Sequence, residues 1–137
     1  MLRRRAIVAL TATALLTPAA AAQAGTSHAD NIVSPTKLIS CFAVQYGSGI
    51  ECSASYLPRI GELDPFLALK PRGRSRLGER GDFPGYTTPR RTLHYGDRWK
   101  PRRKATGITC TMRSTGLTCR NRDGHGFRLA KGAIKRF

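Results

Sequence analysis

Four cysteines set in two matching frames constrain this chain more than any other feature. Ile39-Ser40-Cys41 is followed by Gly49-Ile50-Glu51-Cys52, and Ile108-Thr109-Cys110 by Gly116-Leu117-Thr118-Cys119. Each frame has a β-branched residue two places before its first cysteine, then a Gly-containing turn, then an apolar residue two places before its second. That is the layout of a β-hairpin stapled across its strands. Four cysteines allow three pairings, and side-chain alternation supports the local one. With Cys41 opposite Cys52, Ile39 meets Ala54 and Ala43 meets Ile50, so six apolar or sulfur side chains share one face. With Cys110 opposite Cys119, Met112 meets Leu117 and Ile108 meets Asn121, leaving one polar residue among six. A slip of one residue would turn either set to water. Zinc is the rival use of four cysteines, but ten and eight residues separate these pairs, wider than zinc ligand spacings normally run.

The N-terminus reads as an export signal spanning residues 1–24. Arg3, Arg4 and Arg5 form a charged start, Ala6 to Leu16 an apolar run, and Ala22-Gln23-Ala24 a small-x-small cleavage site. The apolar run is short for about 30 Å of hydrocarbon, so cleavage is expected rather than anchoring. No later segment is long and apolar enough to span a bilayer. The expected product is secreted and extracellular, or held in the cell envelope, with no membrane span after cleavage. Its 113 residues suit one domain with a modest core, and export makes disulfides the natural state of its cysteines.

Along the mature chain, residues 25–31 read as a disordered polar tether and residues 32–137 as a single β domain. A short strand at Ile32 and Val33 precedes Ser34-Pro35, and the first hairpin runs from about Lys37 to Ser55. Tyr56 to Lys70 fits neither period cleanly and is read as irregular, with one strand at Phe66 to Leu69. Residues 71–91 are rich in Gly, Pro and Arg and read as a basic loop. Thr92 to Tyr95 and Arg98 to Lys100 read as short strands turning at Gly96-Asp97. The second hairpin covers Gly107 to Asn121, and a turn at Asp123-Gly124 leads to a last strand, Gly126 to Ala130, and a short basic terminus. The fold class expected is all-β: a small antiparallel barrel or sandwich of five to seven strands, stapled by Cys41–Cys52 and Cys110–Cys119.

From Leu93 onward the residues also resemble a known family. Tyr95-Gly96, Trp99, Gly116-Leu117-Thr118-Cys119, Asn121 and Gly124-His125-Gly126-Phe127 resemble the C-terminal signature of a family of small secreted actinobacterial proteins, a domain of unknown function. Ser34-Pro35 and Ile39-Ser40-Cys41 are similar to its first half. The likeness covers both ends of the mature chain and little of the middle, where family members often carry further cysteines and residues 57–109 here carry none. It implies export, a β fold and the same cysteine pairing, and it attaches no activity.

Charge is the functional hint. The formal net charge is +16, and +13 without the three leader arginines. Between Lys70 and Lys104, twelve Lys or Arg face only Glu79, Asp82 and Asp97. Arg72, Arg74, Arg76, Arg90, Arg91, Arg98, Lys100, Arg102, Arg103 and Lys104 are the candidate polyanion-binding residues, interleaved with Tyr86, Tyr95 and Trp99. The planar guanidinium fork suits phosphate oxygens and aromatic rings stack on bases or sugars. The partners expected are anionic polymers bound without sequence readout, nucleic acid or cell-envelope polyanions. A solvated basic face with no dedicated ligand is the competing reading.

His94 and His125 could in principle form the acid and base of a small secreted ribonuclease-like hydrolase. The glycines flanking His125 equally suit a turn, and neither histidine has a declared nucleophile or carboxylate beside it. Glu51 and Glu62 read as isolated, solvated carboxylates. The expectation is a binding module and no enzyme, without cofactor, metal or catalytic residues. A structural or interaction module of the cell envelope is the remaining alternative.

Overall fold

A computed structural model describes residues 22–84, 90–102 and 105–137. Among them are twelve strands and no α-helix: β1 (Thr26–Ser27), β2 (Asn31–Val33), β3 (Ile39–Ala43), β4 (Ile50–Ala54), β5 (Asp64–Leu69), β6 (Arg76–Arg80), β7 (Arg91–Thr92), β8 (Arg98–Trp99), β9 (Thr109–Arg113), β10 (Gly116–Arg120), β11 (Gly126–Ala130) and β12 (Ala133–Arg136). They form two six-stranded sheets packed as a sandwich. The N-terminal sheet is ordered β6-β5-β4-β3-β2-β7 and the C-terminal sheet β1-β8-β9-β10-β11-β12.

Both sheets follow one plan. β2 to β6 and β8 to β12 are each five consecutive antiparallel strands. Each sheet is completed by a two-residue strand from the other half of the chain, paired parallel: β1 with β8 and β7 with β2. The two halves therefore exchange their edge strands.

The stapled hairpins occupy equivalent places in this plan. Cys41 pairs Cys52 and Cys110 pairs Cys119 across β3–β4 and β9–β10, with Cα separations of 4.1 and 4.0 Å. All four cysteines are fully buried. Gly49 and Gly116, each three residues before the second cysteine, have φ of 107° and 128°. At either one a Cβ would strike the backbone carbonyl of the next strand, Leu69 or Leu129, so only glycine lets the turn close against its neighbour.

The core lies between the sheets. Ile32, Ile39, Ile50, Leu67 and Leu69 from one meet Trp99, Met112, Leu117, Phe127 and Leu129 from the other. Trp99 is fully buried and its indole N–H donates to the Ala29 carbonyl at 2.7 Å, satisfying its one polar atom. Outside the N-terminal sheet a second cluster, Phe42, Phe66, Ala68 and Phe83, covers the opposite face.

Several expectations are corrected. Residues 25–31 are tied in: the carbonyls of Gly25 and Ser27 accept from the N–H groups of Arg98 and Lys100 at 2.9 Å each. The expected loop 71–91 contains β6, because Leu77 turns inward onto the core while its neighbours face out; residues 85–89, Tyr86 included, lie outside the described residues. Strands β7 and β8 do not pair with each other but join different sheets. The basic terminus folds back as β12 after Gly132, whose φ is 75°.

Candidate functional site

Alternation in the C-terminal sheet sends Cys110, Met112, Leu117, Cys119, Phe127 and Leu129 inward, each at most 1% exposed. Their neighbours in sequence must then face outward. Register aligns Arg98, Thr111, Thr118, Arg128 and Lys135 in one row across five strands, about 19 Å at ~4.8 Å per strand. A second row brings Thr109, Arg120 and Gly126 together. Phe137 extends it, exchanging backbone hydrogen bonds with Gly126 and carrying the Arg120 guanidinium 4.5 Å above its ring. Arg113, opposite Gly116, stands on the same side at the far end.

None of the six strands of this sheet contains an Asp or Glu. The strands of the other sheet carry Glu51, Asp64 and Glu79. The outer C-terminal face thus combines cations with threonine hydroxyls, and none of its described strands supplies a carboxylate to compete for the guanidinium groups. Such a face attracts phosphate, sulfate or carboxylate groups along a polymer. Among the described residues this face bears no exposed Trp or Tyr, and the partly buried ring of Phe137 is covered by the Arg120 guanidinium, so little open aromatic surface is left for bases to stack on.

The ten residues singled out from sequence fall in several places. Arg98 lies on this face and Lys100 continues its strand. Arg72 is ion-paired with Asp123 at 2.8 Å. The Gly73 N–H donates to the same carboxylate, holding its pKa below the usual range, with the Arg72 charge acting in the same sense. Arg74 is exposed in that loop, and Arg76 is on β6 near Glu51. Arg90 donates to the Ser40 hydroxyl at 2.7 Å on the outside of the N-terminal sheet, and Arg91 is on edge strand β7. Arg102 borders a groove with Arg80, Phe42 and Tyr46. Arg103 and Lys104 lie outside the described residues.

Sequence reading passed over Arg113, Arg120, Arg128 and Lys135. Their signal is Thr109-x-Thr111-x-Arg113 and Gly116-x-Thr118-x-Arg120, the outward half of the hairpin whose inward half carries Cys110 and Cys119.

His94 and His125 stand at opposite ends of the C-terminal sheet. His94 lies in the turn whose Gly96 N–H donates to the Met112 carbonyl, and His125 follows β10 at its other end. The length of β10, about 14 Å at ~3.4 Å per residue, separates these ends. Glu51, expected to be solvated, is instead 7% exposed. Its Oε2 lies 3.2 Å from Arg80 Nη1 without an aligned hydrogen bond. No cluster of His, Cys, Asp and Glu among the described residues is arranged to hold a metal, and no helix there is long and apolar enough to cross a membrane.

Comparison with family models, with curated proteins and with solved structures returns no match for this chain.

Proposed function

We propose that this protein is a secreted basic module that binds anionic polymers through the outer face of its C-terminal sheet. The observation that carries the reading is the segregation of charge: Arg98, Arg113, Arg120, Arg128 and Lys135 on strands that contain no carboxylate. Two disulfides and the leader-like N-terminus support action outside the cytoplasm. With the Phe137 ring covered by Arg120, the face reads charge and spacing, not base identity. The partners are extracellular nucleic acid and the anionic polymers of the cell envelope.

Titration of the exported protein with duplex DNA at rising salt tests this. About five phosphate contacts would give a slope of log K against log salt near −4.5, a loss of roughly 500-fold between 50 and 200 mM. Replacing Arg98, Arg120, Arg128 and Lys135 by Ser should flatten that slope by about one unit per residue. Replacing Arg72 and Arg74 by Ser should leave it nearly unchanged. Equal losses from both variants, or no binding at 50 mM salt, would refute the assignment.

A further inference from the structure

One end of the sandwich holds a pocket of about 340 Å³ where turns of both sheets meet. The N-terminal half supplies Leu38 from the β2–β3 turn and Tyr56 from beyond β4. The C-terminal half supplies Tyr95 from the β7–β8 turn, Arg113 from the end of β9 and Lys131 from the β11–β12 turn. No carboxylate lines it.

Three features mark it as built for a ligand. Leu38 and Tyr95 are 43% and 51% exposed, two of the six large apolar side chains open to water among the described residues, and they border the same cavity. Leu38 is displayed by a strained turn. Lys37 beside it has φ of 62°, unique among the described non-glycine residues, a conformation that costs about 1 kcal/mol or more. The turn is held by the Lys37 N–H donating to the Ser34 carbonyl at 2.9 Å and the Ile39 N–H donating to the Ser34 hydroxyl at 3.1 Å. Finally, no protein partner among the described residues takes up the Tyr56 and Tyr95 hydroxyls, the Arg113 guanidinium or the Lys131 ammonium.

We infer that this pocket binds one unit of an acidic glycan, a sugar ring bearing a carboxylate or phosphate. The C–H face of a sugar ring is apolar and lies flat on an aromatic ring such as Tyr95. Its hydroxyls accept from the phenols, and its acidic substituent pairs with Arg113 and Lys131. The volume is near the lower end for ligand sites, which suits one small ring rather than a long segment. Arg113 also belongs to the cationic face, so a polymer seated here continues across the row Arg98 to Lys135. Only that onward path rests on the polymer-binding reading.

The test uses the exported protein and three probes: a uronic-acid trisaccharide, a neutral glucose trisaccharide and duplex DNA. By calorimetry or NMR titration the acidic trisaccharide binds at millimolar concentration or below, and the neutral one at least tenfold more weakly. Tyr95→Ala weakens the acidic trisaccharide about tenfold and leaves DNA binding unchanged. Tyr56→Phe, which keeps the ring and removes one hydroxyl, weakens it about two- to fivefold. Failure of the acidic trisaccharide to bind, equal binding of the neutral one, or indifference to Tyr95→Ala overturns the pocket assignment. Binding of the trisaccharide with no binding of DNA supports the pocket and sinks the cationic-face reading instead.

Discussion

Glu51 sits where a carboxylate is costly. It is buried on β4 outside the N-terminal sheet, next to an Arg80 guanidinium that lies 5.6 and 5.4 Å from the rings of Phe42 and Phe66. Burial raises its pKa above 4.5, and the attraction of Arg80 and Arg76 opposes that rise without cancelling it. The folded state then keeps a proton that the unfolded chain has already lost. By linkage, this group's contribution to stability falls as pH climbs from its unfolded to its folded pKa. Asp123 acts in the opposite sense: the Gly73 N–H lowers its pKa from 3.8, and the stability it lends is present above that value and lost in stronger acid. Glu51→Gln removes the first effect and leaves the second. Urea midpoints taken from neutral pH down to pH 4.5 should therefore show wild type gaining on the variant as pH falls. Parallel curves would contradict the burial argument.

At the level of elements, the two stapled hairpins occupy equivalent places, one in each sheet. Each disulfide joins directly opposed residues, 11 and 9 positions apart in sequence. Replacing Cys110 and Cys119 together by Ala should cost about 2–3 kcal/mol in urea unfolding, with the β signal retained by circular dichroism. Retention of full stability would mean that packing alone fixes the register. These hairpins were legible because strict alternation is a strong signal, and Ile39, Cys41, Ile50 and Cys52 all obey it. The edges were not. β1 and β7 are two residues long and pair in parallel with distant strands, so they leave no period to read. β6 shows a single inward apolar residue, Leu77, among Arg and Gly, and all four residues of β12 are exposed. The cationic face was missed for a related reason. Arg is densest at residues 70–104, whereas Arg113, Arg120 and Arg128 lie seven and eight residues apart in sequence and become neighbours only through register.

For the whole molecule, the exchange of β1 and β7 makes each sheet depend on the other half of the chain. The core is likewise shared, with Trp99 from one half bonded to Ala29 from the other. The two sheets should melt in a single transition, with near- and far-ultraviolet circular dichroism coinciding. Two resolved steps would show that the halves are separable. Exchange also sets a timetable for assembly. Thr26 lies early in the chain, yet its partner Arg98 lies 72 positions later. Neither sheet can be completed from its own half of the polypeptide, so the earliest strand waits without its neighbour for residues made long after it.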